Sequence, residues 1–542
     1  MLPGVDHRLL GARGAEGADH RCGLDEVRPR PQDVHDGCQH NFPSVHRGCL
    51  RSPAVLRKPV YLLGLTWRQL RDDPGRAPRL AVRLLARAAP GPLGGRLRRS
   101  RLAVPRPRGL QRETAELRAL LAHTPPPPPS WTARSARSAP PGPSGTRVLQ
   151  LVTNALPRTN AGYTVRTHRL ALAQRELGVD VHVATRLGYP LSQGIGDARP
   201  RVEVDGVPYH RLIPWAPPSN PVRAVGKGAD LAGRLVRELR PDVLHAVSNH
   251  LNAAVALELG QRHGLPVVYE VRGFLEDSWL SRDPAHRETD EFYRLTRELE
   301  TRRMAEADAV VTLGEAMRAE IAARGVPAEK IHTVPNAVDE TFLRPLPDAA
   351  GLRASLGIPA DAPVVGLTSS FYGYEGIDTL IDAAALLRGR GTPVTLLLVG
   401  DGPERGALER RAAGHGVHAV FTGRVPMESV RRHHAVLDVF AVPRRADRVC
   451  QLVTPLKPIE AMAGGIPVIA SDVKALREIV EPGVTGTLTV PEEPEAWADS
   501  LEELIYAPER RRKIGQSARE WVRAERTWRA VAACYRAAYA IT

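Results

Sequence analysis

At 542 residues, 43% of them hydrophobic, the chain is too long for one ordinary domain and apolar enough to bury two cores. Its net charge of +15 is concentrated: residues 1–145 hold 25 of the 75 Lys/Arg but only 11 of the 60 Asp/Glu, so the remainder is close to neutral, which excludes a nucleic-acid-binding main body. Five cysteines, three of them before residue 50, exclude a disulfide framework and point to a reducing compartment.

Residues 1–51 show no periodicity, and we expect no regular structure there. Their Cys/His cluster (Cys22, His35, Cys38, His40, Cys49) lacks paired zinc-ligand spacing, so no metal site is expected. The apolar run Val60 to Trp67 falls well short of the ~20 residues that cross a bilayer, and no cleavage site follows it, which predicts a cytoplasmic protein. From Val55 to Leu121 the pattern turns helical, with Arg79 to Arg87 placing arginines on one side and aliphatics on the other. This reads as a helix packed on the main body or, alternatively, as a basic surface in peripheral contact with anionic lipid at the inner membrane face. Pro125 to Pro129, continued by small residues to Gly145, forms a linker. Residues 1–145 are thus a basic Pro/Arg-rich extension, partly disordered or helical.

Short β-branched runs then alternate with helical patterns. The first set is Arg147–Thr153, Val181–Thr185, Val243–Val247, Pro266–Val271, Ala309–Leu313 and Ile331–Pro335. After a break at Asp348 to Pro363 a second set follows: Val364–Thr368, Val394–Val399, Val420–Thr422, Leu437–Val442 and Pro467–Ser471. Such alternation predicts an α/β fold of two doubly wound parallel sheets with a cleft between them, in domains 146–345 and 346–517 with a C-terminal segment 518–542.

Strands in both halves run into glycine-containing loops whose amides can approach an anion: Asn154 to Gly162, and Gly400-Asp-Gly402. Neither half opens with G-x-G-x-x-G, which argues against a nicotinamide enzyme. The segment Thr454-Pro-Leu-Lys-Pro-Ile-Glu460 carries the clearest signal. Thr454 suits an N-cap, Pro455 the first helical position, and Pro458 is tolerated in a first turn. Lys457 then stands third in the helix, where the dipole disfavours a cation unless an anion is bound; the alternative is a lysine reaching to solvent. Arg444, Arg445 and Arg448 follow a hydrophobic strand at the same edge, and guanidinium is the natural bidentate partner of phosphate. Glu460 is placed to accept hydrogen bonds from a ribose.

These segments, with Ala307–Glu315, Ile331–Asp339, Leu398–Glu404, Phe421-Thr-Gly-Arg424-Val-Pro426 and Glu460–Ser471, run in an order that resembles glycosyltransferase family 4 from about Thr146 to the C-terminus. The resemblance implies a GT-B fold of two Rossmann-like domains facing a cleft, with retention of configuration. It places a nucleotide-diphosphate sugar mainly on the second domain, a glycan, lipid-linked or small-molecule acceptor mainly on the first, and a C-terminal helix, Ala518 to Ala540, crossing back. Gly162, Gly400, Gly402, Arg424, Arg444, Arg445, Arg448 and Thr454 are the implied donor-binding residues, and Arg272, Lys457 and Glu460 the implied catalytic ones. No D-x-D motif is present, so neither metal nor other cofactor is expected.

The chain also departs from the family pattern. The stretch Ser369–Gly376 lacks the Arg and Lys that usually grip the diphosphate, and one of two glutamates is missing, since Leu452 stands eight positions before Glu460. Arg444, Arg445, Arg448 and Lys457 are expected to take over the charge. Arg272, in Tyr269-Glu-Val-Arg-Gly273, emerges at a strand end toward a donor phosphate or an acidic acceptor, or pairs with Glu276 or Asp277. Two competing readings are a non-hydrolysing sugar-nucleotide epimerase, and a lipid-surface or nucleic-acid binding protein acting through the basic extension.

Overall fold

The computed structural model describes residues 109–123 and 145–540. The cysteine cluster, the arginine-lined segment near residue 80 and the proline run lie outside them. Two parallel-sheet α/β domains follow from the alternating pattern. The first sheet contains β1 (Arg147–Val152), β2 (Asp180–Thr185), β3 (Arg201–Val204), β4 (Val207–Arg211), β5 (Val243–Val247), β6 (Val267–Val271), β7 (Ala309–Thr312) and β8 (Ile331–Thr333). Their order is β3-β4-β2-β1-β5-β6-β7-β8, parallel except for the β3–β4 pair. The second sheet, all parallel, contains β9 (Val364–Ser370), β10 (Thr395–Asp401), β11 (Ala419–Gly423), β12 (Val439–Val442), β13 (Val468–Ser471) and β14 (Gly486–Thr489), in the order β11-β10-β9-β12-β13-β14. Strands β5, β6 and β12 are buried at every position, as expected when helices cover both faces.

Both sheets reverse their strand order beside the first strand, between β1 and β5 and between β9 and β12. Ligands of open α/β sheets bind outside the carboxyl ends of strands at such switch points. The β3–β4 hairpin was not foreseen. Its turn is Asp205-Gly206, both at positive φ (48° and 78°), a legible hairpin signal inside a region read only for βα units.

Part of the extension docks on the first domain. Leu117 and Leu120 of the Gly109–Ala122 helix share a buried cluster with Val225, Ala254 and Leu299. No described helix is long and apolar enough to cross a membrane.

The expected single C-terminal helix from Ala518 to Ala540 is instead broken. A helix over Pro508–Glu525 ends where the Arg526 carbonyl accepts from Val338 N at 2.8 Å, and Thr527 then caps a new helix, Trp528–Ala532, followed by Tyr535–Tyr539. Trp528, Val531, Tyr535 and Tyr539 pack in a core cluster with β1, β2 and β5 of the first domain. The crossing is therefore made by two short helices behind a hinge-like turn.

Other contacts also join the domains. Leu452 and Val453 from the second domain insert into a core cluster of the first. Glu478 reaches across to the first turn of the Glu315–Ala323 helix, accepting from Glu315 N at 2.9 Å and Ala316 N at 2.7 Å, where a carboxylate suits the helix dipole. Gly314 permits this approach, since a Cβ there would lie 2.1 Å from Glu478 Oε2.

Candidate functional site

The cleft side of the second domain is built around the β9/β12 switch point. The loop after β9 turns back through Gly376, whose φ of +65° and closeness to Pro443 (1.8 Å from an added Cβ to its carbonyl oxygen) leave no room for a side chain. That contact sets Glu375 beside Arg444. Both side chains are buried, with Arg444 Nη2 donating to Glu375 Oε1 at 3.3 Å and Nη1 to the Val453 carbonyl at 2.9 Å. A buried cation needs a partner, and Glu375 holds the guanidinium charged against desolvation.

Lys457 and Glu460 lie next to this pair, both half-buried. Burial pushes the Lys457 ammonium pKa down, Glu375 and Glu460 oppose that shift, and Arg444 adds to it. Burial pushes the Glu460 carboxyl up to about 7, with Lys457 acting in the other direction. The structure therefore brings together Glu375, Arg444, Lys457 and Glu460, two acids and two cations from three segments. Opposite them stands the first domain: a Cβ at Gly162, the first residue of the Gly162–Glu176 helix, would meet the Leu456 side chain at 3.5 Å.

Several expected roles change. The helix runs Lys457–Ala463 and is not capped by Thr454. A helix started at Thr454 would need an N–H from Pro458, which has none; Asn336 Nδ2 takes the Thr454 carbonyl instead, at 2.8 Å. Lys457 is thus the first helical residue rather than the third. Of the three arginines expected to neutralise a diphosphate, Arg444 is engaged with Glu375, Arg445 donates to Asp378 at 2.6 Å, and Arg448 crosses the cleft to Asp277 and Glu320, each at 3.0 Å. Arg448 ties the domains together.

Arg272 is buried and does not present a cation to the cleft. It pairs with Glu270, not with Glu276 or Asp277, through Nε to Oε1 at 2.9 Å and Nη2 to Oε2 at 3.0 Å, and its Nη1 serves the Tyr163 carbonyl and Thr167. Gly400 and Gly402 serve chain packing: added Cβ atoms would lie 1.8 Å from the Ser369 carbonyl oxygen and 2.5 Å from Phe371 backbone, and the Gly402 amide is satisfied by Asp401. Arg424 stands exposed just after β11.

Glu375 and Asn336 were not singled out from sequence. Glu375 was visible only as part of a stretch lacking cations. Its signal was an acid inside an otherwise apolar and aromatic loop, which requires a cation from elsewhere in the chain once buried.

The raised pKa of Glu460 has a definite sign. Between the ordinary carboxylate range and about pH 7 the folded state keeps a proton that the unfolded state has lost, so stability falls as pH rises through that window. Glu276, also pushed up to about 7 by burial, adds to the same fall. Glu460→Gln is expected to reduce the decline in thermal midpoint between about pH 5 and about pH 7.5. An unchanged slope in a pH series of melting curves would show that Glu460 is ionised throughout.

Two parallel-sheet α/β domains that face each other across a cleft, with charged groups at the switch point of the second, define the GT-B fold of glycosyltransferases. Two family models match in order, "Glycosyl transferase 4-like domain" over residues 161–337 and "Glycosyl transferases group 1" over residues 349–521, and the chain belongs to the glycosyltransferases they describe. It is 34% identical over 229 residues to a GDP-mannose-dependent alpha-(1-6)-phosphatidylinositol monomannoside mannosyltransferase of Mycolicibacterium smegmatis, a match spanning 41% of this chain and 60% of that protein. It is 29% identical over 394 residues to a D-inositol 3-phosphate glycosyltransferase of Nocardia farcinica, spanning 69% and 84%. The structure of a sucrose-phosphate synthase from Thermosynechococcus elongatus shares the fold, with a TM-score of 0.58, 22% identity, and coverage of 71% of this chain and 96% of that one. Anabaena HepE, solved in complex with UDP, shares it with a TM-score of 0.55, 21% identity and coverage of 72% and 98%.

Proposed function

We propose that the protein is a retaining glycosyltransferase that moves a sugar from a nucleotide-diphosphate sugar to a hydroxyl of a glycan, a lipid-linked glycan or a small molecule. The observation that carries this reading is the placement of Lys457 and Glu460 side by side on the cleft edge of the second domain, across from Gly162 of the first. The names of the relatives agree with it, since one uses GDP-mannose and HepE was solved with UDP.

In transfer with retention, the bond to the diphosphate breaks as the acceptor hydroxyl attacks the anomeric carbon from the same face, its proton passing to the departing diphosphate oxygen, on which negative charge grows. A fixed cation there lowers the barrier most, because it needs no reorganisation when the charge develops. Lys457 supplies that cation, and Glu460 accepts from a ribose hydroxyl. Arg444 holds Glu375 and the Val453 carbonyl, so it positions the segment without touching the donor. Retention rests on the family relationship. The basic extension, whose Gly109–Ala122 helix docks on the first domain, would hold the enzyme at the inner membrane face of the cytoplasm.

The test is a panel of nucleotide sugars on the full chain, read by thermal shift and by donor turnover with and without acceptor. One donor is expected to raise the thermal midpoint and to be consumed, with NMR of the product showing a retained anomeric configuration. Conversion of the donor to an epimer without any acceptor would replace this reading with an epimerase.

A further inference from the structure

The carboxyl edge of the first sheet carries a second group of charges that the donor site does not use. Asp197 sits 7% exposed at its centre. Arg158, from the loop between β1 and the Gly162–Glu176 helix, donates to it through Nε at 3.1 Å and Nη2 at 2.8 Å. Arg199 donates through Nε at 3.0 Å and Nη2 at 2.7 Å. Arg211, the last residue of β4, brings Nη1 to 2.8 Å of Asp197 Oδ1 from a side chain only 1% exposed, yet neither of its Nη atoms makes an aligned hydrogen bond. Three guanidinium groups therefore meet one carboxylate.

A single Asp neutralises one of these charges. The excess is maintained at a cost in mutual repulsion, and an isolated structural aspartate needs only one such partner. Burial of Arg211, ion-paired to Asp197 at 2.8 Å, makes the excess harder to dissipate into solvent. The outer arginines, in contrast, remain reachable: the Arg158 and Arg199 side chains are 42% and 61% exposed. The group is also in the right place. Arg158 precedes Gly162 by four residues in the same loop, so the charges border the point where the two domains meet at Leu456.

We infer that Arg158 and Arg199, backed by Arg211 around Asp197, form an acceptor subsite for a phosphate group, so that the acceptor is a polyol carrying a phosphate ester. This rests on the transferase reading and narrows its acceptor. Guanidinium forks match phosphate oxygens bidentately, and the group lies on the acceptor-side domain, away from Lys457. The phosphate belongs either to a soluble polyol phosphate or to the headgroup of a phospholipid.

The test uses the full chain. Glycerol 3-phosphate against glycerol is titrated by calorimetry, and vesicles of phosphatidylglycerol against phosphatidylcholine are compared by cosedimentation, with UDP and GDP binding measured in parallel. Binding of glycerol 3-phosphate or of phosphatidylglycerol vesicles, weakened about tenfold in Arg158→Ala/Arg199→Ala with nucleotide binding unchanged, is the expected result, and the probe that binds identifies the source. Arg199→Ala alone, at the more exposed position, is expected to weaken binding by a smaller factor with an unaltered melting curve. Binding of neither phosphate probe, or binding that the double variant leaves unchanged, overturns the subsite while leaving the transferase intact. Failure to bind either nucleotide while glycerol 3-phosphate still binds removes the donor reading and keeps the phosphate site.

Discussion

Lys457→Ala is expected to lower kcat/KM for sugar transfer by about 10²- to 10³-fold, the loss typical when one preorganised group facing a developing negative charge is removed. The fold should tolerate the change. Glu375 keeps its pairing with Arg444 at 3.3 Å, and the cost of desolvating the ammonium disappears. Glu460 loses the cation that holds its carboxyl down, so its pKa moves above about 7. The variant therefore separates catalysis from stability. The defect should sit mainly in kcat if Lys457 acts on the leaving diphosphate, and mainly in KM if it only holds the bound donor. Lys457→Arg should recover part of the loss, since the charge remains while its position shifts. Steady-state kinetics at a fixed pH near 7.5, alongside a melting curve, settle the matter. Unchanged kinetics in a folded protein would remove Lys457 from the reaction.

The strands were readable because burial on both faces of a parallel sheet leaves continuous β-branched runs in the chain. Val243–Val247 was read with the bounds it has in the structure, and most others differ by a residue or two. The site was less legible, for a reason visible in its arginines. Their grouping after β12 is a local property, whereas the acids that occupy them are not: Arg444 pairs with Glu375 and Arg445 with Asp378, 69 and 67 positions away, and Arg448 with Asp277, 171 away. A cluster of cations in sequence says nothing about how many remain available once the chain has folded. The start of the Lys457–Ala463 helix failed for the same cause. Capping rules weigh neighbours, and the Thr454 carbonyl is claimed by Asn336, 118 residues earlier. What local sequence did convey was the proline at 458, whose missing N–H freed that carbonyl for a distant partner.

The same distant pairing makes Glu270 the residue whose loss should cost most in stability. It is fully buried on β6 and accepts from Arg272, from Arg166 (Nη2 to Oε1, 3.0 Å) and from Tyr535 of the last helix (2.9 Å), with His245 Nε2 at 3.1 Å. Its two arginines hold the carboxyl pKa well below the usual carboxylate range against strong desolvation. Glu270→Ala leaves two buried guanidinium groups without their counter-charge, a change expected to destabilise by about 3–5 kcal/mol in chemical denaturation. Glu270→Gln keeps the shape but not the charge and should lose nearly as much. The effect should also reach the donor segment, because Arg166 donates to Asn336 Oδ1 at 3.0 Å and Asn336 in turn holds the Thr454 carbonyl. Asn336→Ala cuts that path beyond Glu270 while sparing the buried ion cluster. It should therefore change donor KM with little change in the denaturation midpoint, whereas Glu270→Ala should shift both. If both variants shift the midpoint alike and leave KM untouched, the network serves packing alone and the donor segment is positioned by Arg444 and the Leu452–Val453 contact instead.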